Sequence, residues 1–423
     1  MIRIKRRSLI FKKWTFDRAI YILFLLLAFF IPMTKLSVPA MARYELTVGD
    51  LTLLLLTALC ILTKKGMRKS FLPFFSFLLL LVGACFASSV MVINWQYYFL
   101  SMIPFVFSIM ITYVTLSYFS TGDLYKRISV FRKLLLFSLI ISAIPPYLQV
   151  FIGYKNIIFY DSFGWRYTFL AQNPNQFGVY TLLYFYMVTL ITIKFYPKKL
   201  GTLLLFQLFF FIPVFFSGSR STTLVFTANF GVLSLLYLWN SSFIKKIFIV
   251  GFVTVVTLLF FPTIMNTIEN SAGQVRRALA IFDAVADVEE FEIGGSIGHS
   301  VDDALFLFKK YPVFGVGLGN KPEHATGVEI HNTFMLFLGE TGIVGITMFM
   351  LMYLLTPLYS LFSRSKFQFI LLVITFFILF AAQNSTGMLF RQRWVWLFMC
   401  ITFVLVNVDE KGKYQTSKLA IFN

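Results

Sequence analysis

The chain has 423 residues, 58% of them hydrophobic, 19% aromatic and only 13% charged. A soluble protein of this length could not cover so much apolar surface with so few charges, so a soluble globular enzyme is excluded and the repeated apolar runs describe a polytopic membrane protein. Lys and Arg outnumber Asp and Glu by 37 to 18; in a soluble chain that excess would point to nucleic acid, but beside apolar runs it belongs at the anionic cytoplasmic leaflet.

In chain order the apolar runs predict twelve spans, at about 19–33, 48–63, 71–93, 97–120, 134–152, 177–193, 200–217, 222–239, 247–263, 332–360, 367–386 and 394–408. Ala40-Met-Ala42 has the small residues of a signal-peptidase site, but it lies well beyond the apolar core of the first run, which therefore reads as a retained span. Cys60, Cys85 and Cys400 each fall inside an apolar run and form no Cys-x-x-Cys pair, so they read as small buried hydrophobes. With both termini cytoplasmic, the inside segments carry 25 Lys and Arg, against 7 in the short outside segments. That bias supports the count, because a missed span would put KKGMRK or KRISVFRK on the wrong side. No repeat and no soluble domain is visible, so residues 1–423 read as one all-α membrane domain, with spans over 19–263 and 332–408 and a long extracytoplasmic loop at 264–331.

A second sizeable outer loop covers 153–178. The long loop holds two stretches of helical periodicity. GQVRRALAIFDAVADV places Val275, Ala278, Leu279, Phe282 and Val285 on one stripe; SVDDALFLFKK does the same with Val301, Ala304, Leu305 and Phe308. Ser300 and Asp303 have capping-box spacing there, and Pro312 ends the pattern. These are either amphipathic helices at the outer interface or plain cover helices.

Candidate chemistry lies on the outside. Arg166 sits in the 153–178 loop and Arg220 in the short turn SGSRST. A lone arginine at a membrane edge snorkels to headgroups; two converging ones suit a diphosphate, since guanidinium forks match phosphate oxygens. Arg276, Arg277, Arg391 and Arg393 are further outside arginines, less specifically placed. His331 opens the tenth span, either as a general base near neutral pH or as a surface histidine beside the N-cap Asn332. Glu340 lies about 180° around a helix from His331 and roughly 13 Å along it, so the two do not pair; a carboxylate inside a span faces the protein interior, and a structural role is preferred for it over that of a second base. GVGLGN at 315–320 lacks the strand–helix unit of a nucleotide site. DVEEFE at 287–292 reads as a solvated acidic edge, and His324 with His331 lacks a third metal ligand.

YPVFGVGLGN followed by IHNTFMLFLGETGIVG resembles the signature of the O-antigen ligase and polysaccharide polymerase family. WRYTFLAQNPNQFG is similar to that family's earlier outer-loop motif, and SGSRST to its arginine turn. The order of the three motifs, the span layout and the long loop before His-Asn share the likeness. The resemblance implies a membrane architecture similar to C-type glycosyltransferases and transfer of a glycan from undecaprenyl diphosphate outside the membrane. It implies that Arg166 and Arg220 hold the donor diphosphate, that His331 takes the acceptor proton, and that Asn173 and Asn332 orient groups nearby, with no cofactor or catalytic metal. Gly315 and Gly317 would form the turn before His-Asn. One departure stands out: His299 lies where members often carry another arginine, and Arg276 and Arg277 lie a helix upstream.

The expected function is therefore a repeat-unit polymerase in a bacterial cytoplasmic membrane, with a flippase and a chain-length regulator as possible partners and no nucleic acid. The richness in Phe, Ile and Lys reads like an AT-rich genome, compatible with a Gram-positive source lacking lipid A, which favours a polymerase over a ligase acting on lipid A core. A lipid-linked oligosaccharide transporter would need polar groups along a transbilayer path and an inverted repeat; the polar candidates instead cluster on one side.

Overall fold

In the computed structural model the described residues are 2–41, 44–154, 156–160, 166–239, 299–320, 332–361 and 392–408. The described residues form eleven α-helices: α1 Ile2–Phe30, α2 Val48–Leu62, α3 Leu72–Ala87, α4 Trp95–Ser120, α5 Leu124–Ile152, α6 Pro174–Phe195, α7 Leu200–Ser217, α8 Arg220–Trp239, α9 His299–Lys310, α10 Thr333–Leu361 and α11 Arg393–Val406. A small antiparallel hairpin, β1 Ser37–Met41 and β2 Tyr44–Thr47, pairs Ser37 with Thr47 between α1 and α2. The architecture is that of an all-α polytopic membrane protein. Six stretches, 69–91, 95–120, 124–149, 174–195, 197–217 and 333–359, are long and apolar enough to cross a bilayer. Ten of the expected spans fall on helices; those at 247–263 and 367–386 lie outside the described residues.

Local chemistry sets most of the boundaries. Asn94 accepts from the Gln96 and Tyr97 N–H groups and starts α4. Asp123 accepts from Lys126 N at 3.1 Å, so α5 begins ten residues before the expected span and takes the basic stretch KRISVFRK into the helix. Thr47 and Asp50 form a reciprocal capping box at the start of α2. Left-handed glycines end α5 (Gly153, φ 69°) and α7 (Gly218, φ 60°).

The core is α6 and α11. Every residue of α11 from Trp394 to Val406 is buried, and α6 is buried along almost its whole length. Helices apolar on all sides belong inside a bundle, which also explains why α11 manages with 14 residues, about 21 Å, less than a bilayer's hydrocarbon thickness of about 30 Å. The other helices surround this pair and expose leucine, isoleucine and phenylalanine, as α5 does at Phe137 and Ile144.

Contacts sort the segments onto two ends. One end joins Thr34 to Gln172, Asp50 to Arg393, Asn94 to Asn320 and Arg166 to Ser217. The other joins Lys65 to Asp17, Arg68 to Ser120, Arg132 to Thr192 and Lys194 to Leu405 and Val408. The basic segments 64–70, 121–133 and 194–199 all fall on the second end, the alternation that the charge count demanded.

Candidate active site

The loop carrying Arg166 is pinned from both sides. Lys35 Nζ donates to Ile158 O (2.9 Å), Tyr160 O (2.7 Å) and Thr168 Oγ1 (2.6 Å), while its backbone N–H donates to Leu170 O. Three acceptors occupy all of an ammonium's donors, so Lys35 organises the loop. Tyr160 and Tyr167 form an antiparallel bridge, and the Tyr167 hydroxyl donates to Ser142 O at 2.6 Å. Burial pushes the Tyr160 hydroxyl up to about 12 and Tyr167 well above its ordinary value, so both stay neutral.

From this platform Arg166 reaches across to the end of α7. Its Nε donates to Ser217 O at 2.9 Å and its Nη2 to Asn175 Oδ1 at 2.9 Å, while Tyr167 N–H donates to Phe216 O. Ser217 closes α7, Gly218 turns the chain in the left-handed region, and Arg220 is the first residue of α8. The two arginines singled out in the sequence are thus attached to one turn. A Cβ on Gly178 of α6 would lie 2.7 Å from Thr222 Oγ1, so α6 and α8 approach to the width of a glycine and start side by side. Two helix N-termini and a fixed guanidinium give this corner a positive field suited to an anion. Asn173 caps α6, accepting from Gln176 N at 2.8 Å. Its neighbour Asn175 is the residue that holds Arg166, a role the sequence reading missed; the only signal was a second polar residue in Asn-Pro-Asn.

The second half of the motif set forms a docked joint. α10 is not one continuous helix: at Gly342 the backbone has φ 61° and ψ −159°. The turn after α9 lies along this break, with Val316 N donating to Gly339 O (3.1 Å), Gly317 N to Glu340 O (2.9 Å), Ile343 N to Pro312 O (2.9 Å) and Val344 N to Val313 O (3.2 Å). Backbone groups freed inside a membrane helix need such partners. Gly315, Gly317 and Gly319 all have positive φ, and a side chain on Gly317 would meet Val92. Asn320 Oδ1 accepts from Asn94 N at 2.7 Å, tying the turn to α4. The glycine run is therefore a wedge between α4 and α10. Glu340 is 1% exposed at the break. Gly342 permits the break and lets the 312–317 turn approach, and Gly339 faces Leu307 and Ala304 of α9.

The outer helix also differs from its expected form. α9 begins at His299, so Ser300 is inside it rather than at its cap. Its buried face is Ala304 and Leu307, with Leu305 39% exposed, because α9 packs on α10 at Gly339. Arg393 is occupied elsewhere: Nε lies 2.7 Å from Asp50 Oδ1 and Nη2 2.9 Å from Oδ2, locking α11 to the start of α2. Asn332 caps α10, accepting from Phe334 N (3.0 Å) and Met335 N (3.2 Å). His331, the residue before it, lies outside the described residues, as do Arg276, Arg277 and Arg391. Among the described residues no group of three or more His, Cys, Asp or Glu side chains could hold a metal.

Residues 204–350 match the family model described as O-antigen ligase. The match supports assigning the chain to the O-antigen ligase and polymerase family. It starts within α7, takes in the Arg220 turn, the 264–331 loop and His331, and ends past the Gly342 break; Arg166 lies before it. No curated protein matches the sequence.

Proposed function

We propose that this protein is a membrane glycosyltransferase that polymerises undecaprenyl-diphosphate-linked oligosaccharide repeat units on the outer side of a bacterial cytoplasmic membrane. The family match supports the coarser statement, an O-antigen ligase- or polymerase-type membrane enzyme. In this reading the layout is twelve spans with both termini cytoplasmic, similar to C-type glycosyltransferases. What carries the site assignment is the Arg166 bond to Ser217 O, three residues before Arg220 in the chain.

In the proposed reaction the donor diphosphate binds Arg166 and Arg220. The acceptor hydroxyl attacks the anomeric carbon, the bond from that carbon to the phosphate oxygen breaks, and undecaprenyl diphosphate leaves with the electron pair. His331 takes the hydroxyl proton, with inversion. The arginines stabilise the charge that grows on the leaving group, which is where fixed donors lower a barrier most. No metal is required, because the diphosphate leaves against cationic side chains. Arg276 and Arg277 are further candidates for the donor grip. The description of the family model favours a second reading, transfer to lipid A core as a ligase.

The test is glycan product formed by His331→Ala and Arg220→Lys in proteoliposomes. Loss of product with the protein still folded is expected for the first. The second loses most activity, since lysine does not reproduce the guanidinium fork. Full activity of His331→Ala would remove the base assignment.

A further inference from the structure

The end of the bundle remote from this site holds a cation whose charge nothing in the described residues balances. Arg132 on α5 is 8% exposed. Its Nη1 donates to Thr192 Oγ1 over a long 3.3 Å, its guanidinium carbon stands 4.5 Å from the centre of the Tyr196 ring, and its Nε is buried with no hydrogen-bond partner. Lys199 Nζ lies 5.5 Å from the centre of the same ring. Tyr125, at the exposed rim, packs on it at 5.8 Å. Among the described residues neither cation is in a salt bridge, unlike Lys65, which pairs with Asp17 at the same end.

Burying a guanidinium without a matching charge is costly. A neutral hydroxyl, a ring face and the carbonyl end of α6 offset part of that cost. The contrast with Lys194 on the same turn is informative: it is also buried, but its ammonium donates to the Leu405 and Val408 carbonyls. Arg132 has no such pair of acceptors. An anion seated beside Tyr196 would take the unpartnered Nε–H of Arg132 and face the Lys199 ammonium, with the Tyr125 hydroxyl at its edge. Exposed Tyr125 and Lys199 stand at the rim of this cluster, where α5 begins and α6 ends on the basic end of the bundle, and the anion at high concentration beside such a cytoplasmic surface is lipid phosphate.

We infer that Arg132, Lys199, Tyr196 and Tyr125 form a binding site for the phosphate-bearing headgroup of an anionic membrane lipid. The inference is independent of the proposed reaction, which lies at the other end.

The experiment titrates purified full-length protein with phosphatidylglycerol, reading binding by native mass spectrometry, alongside phosphatidylcholine and inorganic phosphate. Arg132→Gln and Lys199→Gln are compared with wild type and with Lys309→Gln at the opposite end. Phosphatidylglycerol should bind the wild type more tightly than phosphatidylcholine does. Its affinity should fall about tenfold in Arg132→Gln, the scale of a lost charge-assisted hydrogen bond, and by a smaller factor in Lys199→Gln, with Lys309→Gln unchanged. Unchanged affinity in both site variants would overturn the inference. Displacement of the lipid by inorganic phosphate would overturn the lipid assignment in favour of a free anion. Should Arg132→Gln fail to fold, the exposed Lys199 decides by the same criterion.

Discussion

Replacing Gly342 by alanine tests the docked joint at the middle of α10. The residue has φ 61° and ψ −159°, a region essentially reserved for glycine, and forcing an L side chain into it costs about 1–3 kcal/mol. A Cβ there would lie 2.5 Å from Val313 O and 2.7 Å from Gly315 N, far inside van der Waals contact. Relief requires the 312–317 turn to back away, which breaks Ile343 N to Pro312 O (2.9 Å) and Val344 N to Val313 O (3.2 Å). Each buried N–H left unmade costs about 1–3 kcal/mol, so the substitution should destabilise by roughly 3–9 kcal/mol. Gly153→Ala is the control, because Gly153 has nearly the same φ, 69°, but nothing within 4 Å of its Cβ position. Left-handed strain alone costs it about 1–2 kcal/mol. Unfolding of the detergent-purified protein, followed by tryptophan fluorescence, should show Gly342→Ala well below Gly153→Ala. Equal shifts for the two variants would refute the docked joint.

Removing one partner of the Asp50–Arg393 pair should cost about 3–5 kcal/mol, whereas the double replacement Asp50→Leu with Arg393→Leu should recover most of that, since no charge is left buried alone; a double-mutant cycle on unfolding in the same detergent checks both halves. Asn175→Ala should lower activity by about tenfold through loss of the Arg166 anchor, one charge-assisted hydrogen bond. Asn173→Ala, which removes only a helix cap, should cost about 1 kcal/mol of stability and little activity. Comparing turnover and unfolding for the two variants separates the roles.

The helices under ten of the expected spans were legible because apolar run length is a local property. Asn332 as a cap was legible for the same reason. The break in α10 was not: Glu340-Thr341-Gly342 sits in an unbroken apolar run, and its partner strand of backbone, 312–317, is supplied by a turn some twenty-five residues earlier. The Asp50–Arg393 lock joins residues 343 apart, and no periodicity carries that pairing. The exposed Leu305 was misread because a helical stripe in sequence has two acceptable phases, and packing against Gly339 selects the one through Leu307. At the site, motif order pointed to Arg166 and Arg220. That Arg166 is fastened to the turn before Arg220 depends on the folded loop, which no local pattern in the sequence encodes.

The central claim is that the enzyme extends a lipid-linked glycan using the same lipid-linked unit as donor and acceptor. Purified protein in liposomes, given its undecaprenyl-diphosphate repeat unit and nothing else, should produce a gel ladder spaced by one repeat. No ladder, with product appearing only once lipid A core is added, would contradict the polymerase and make the protein a ligase.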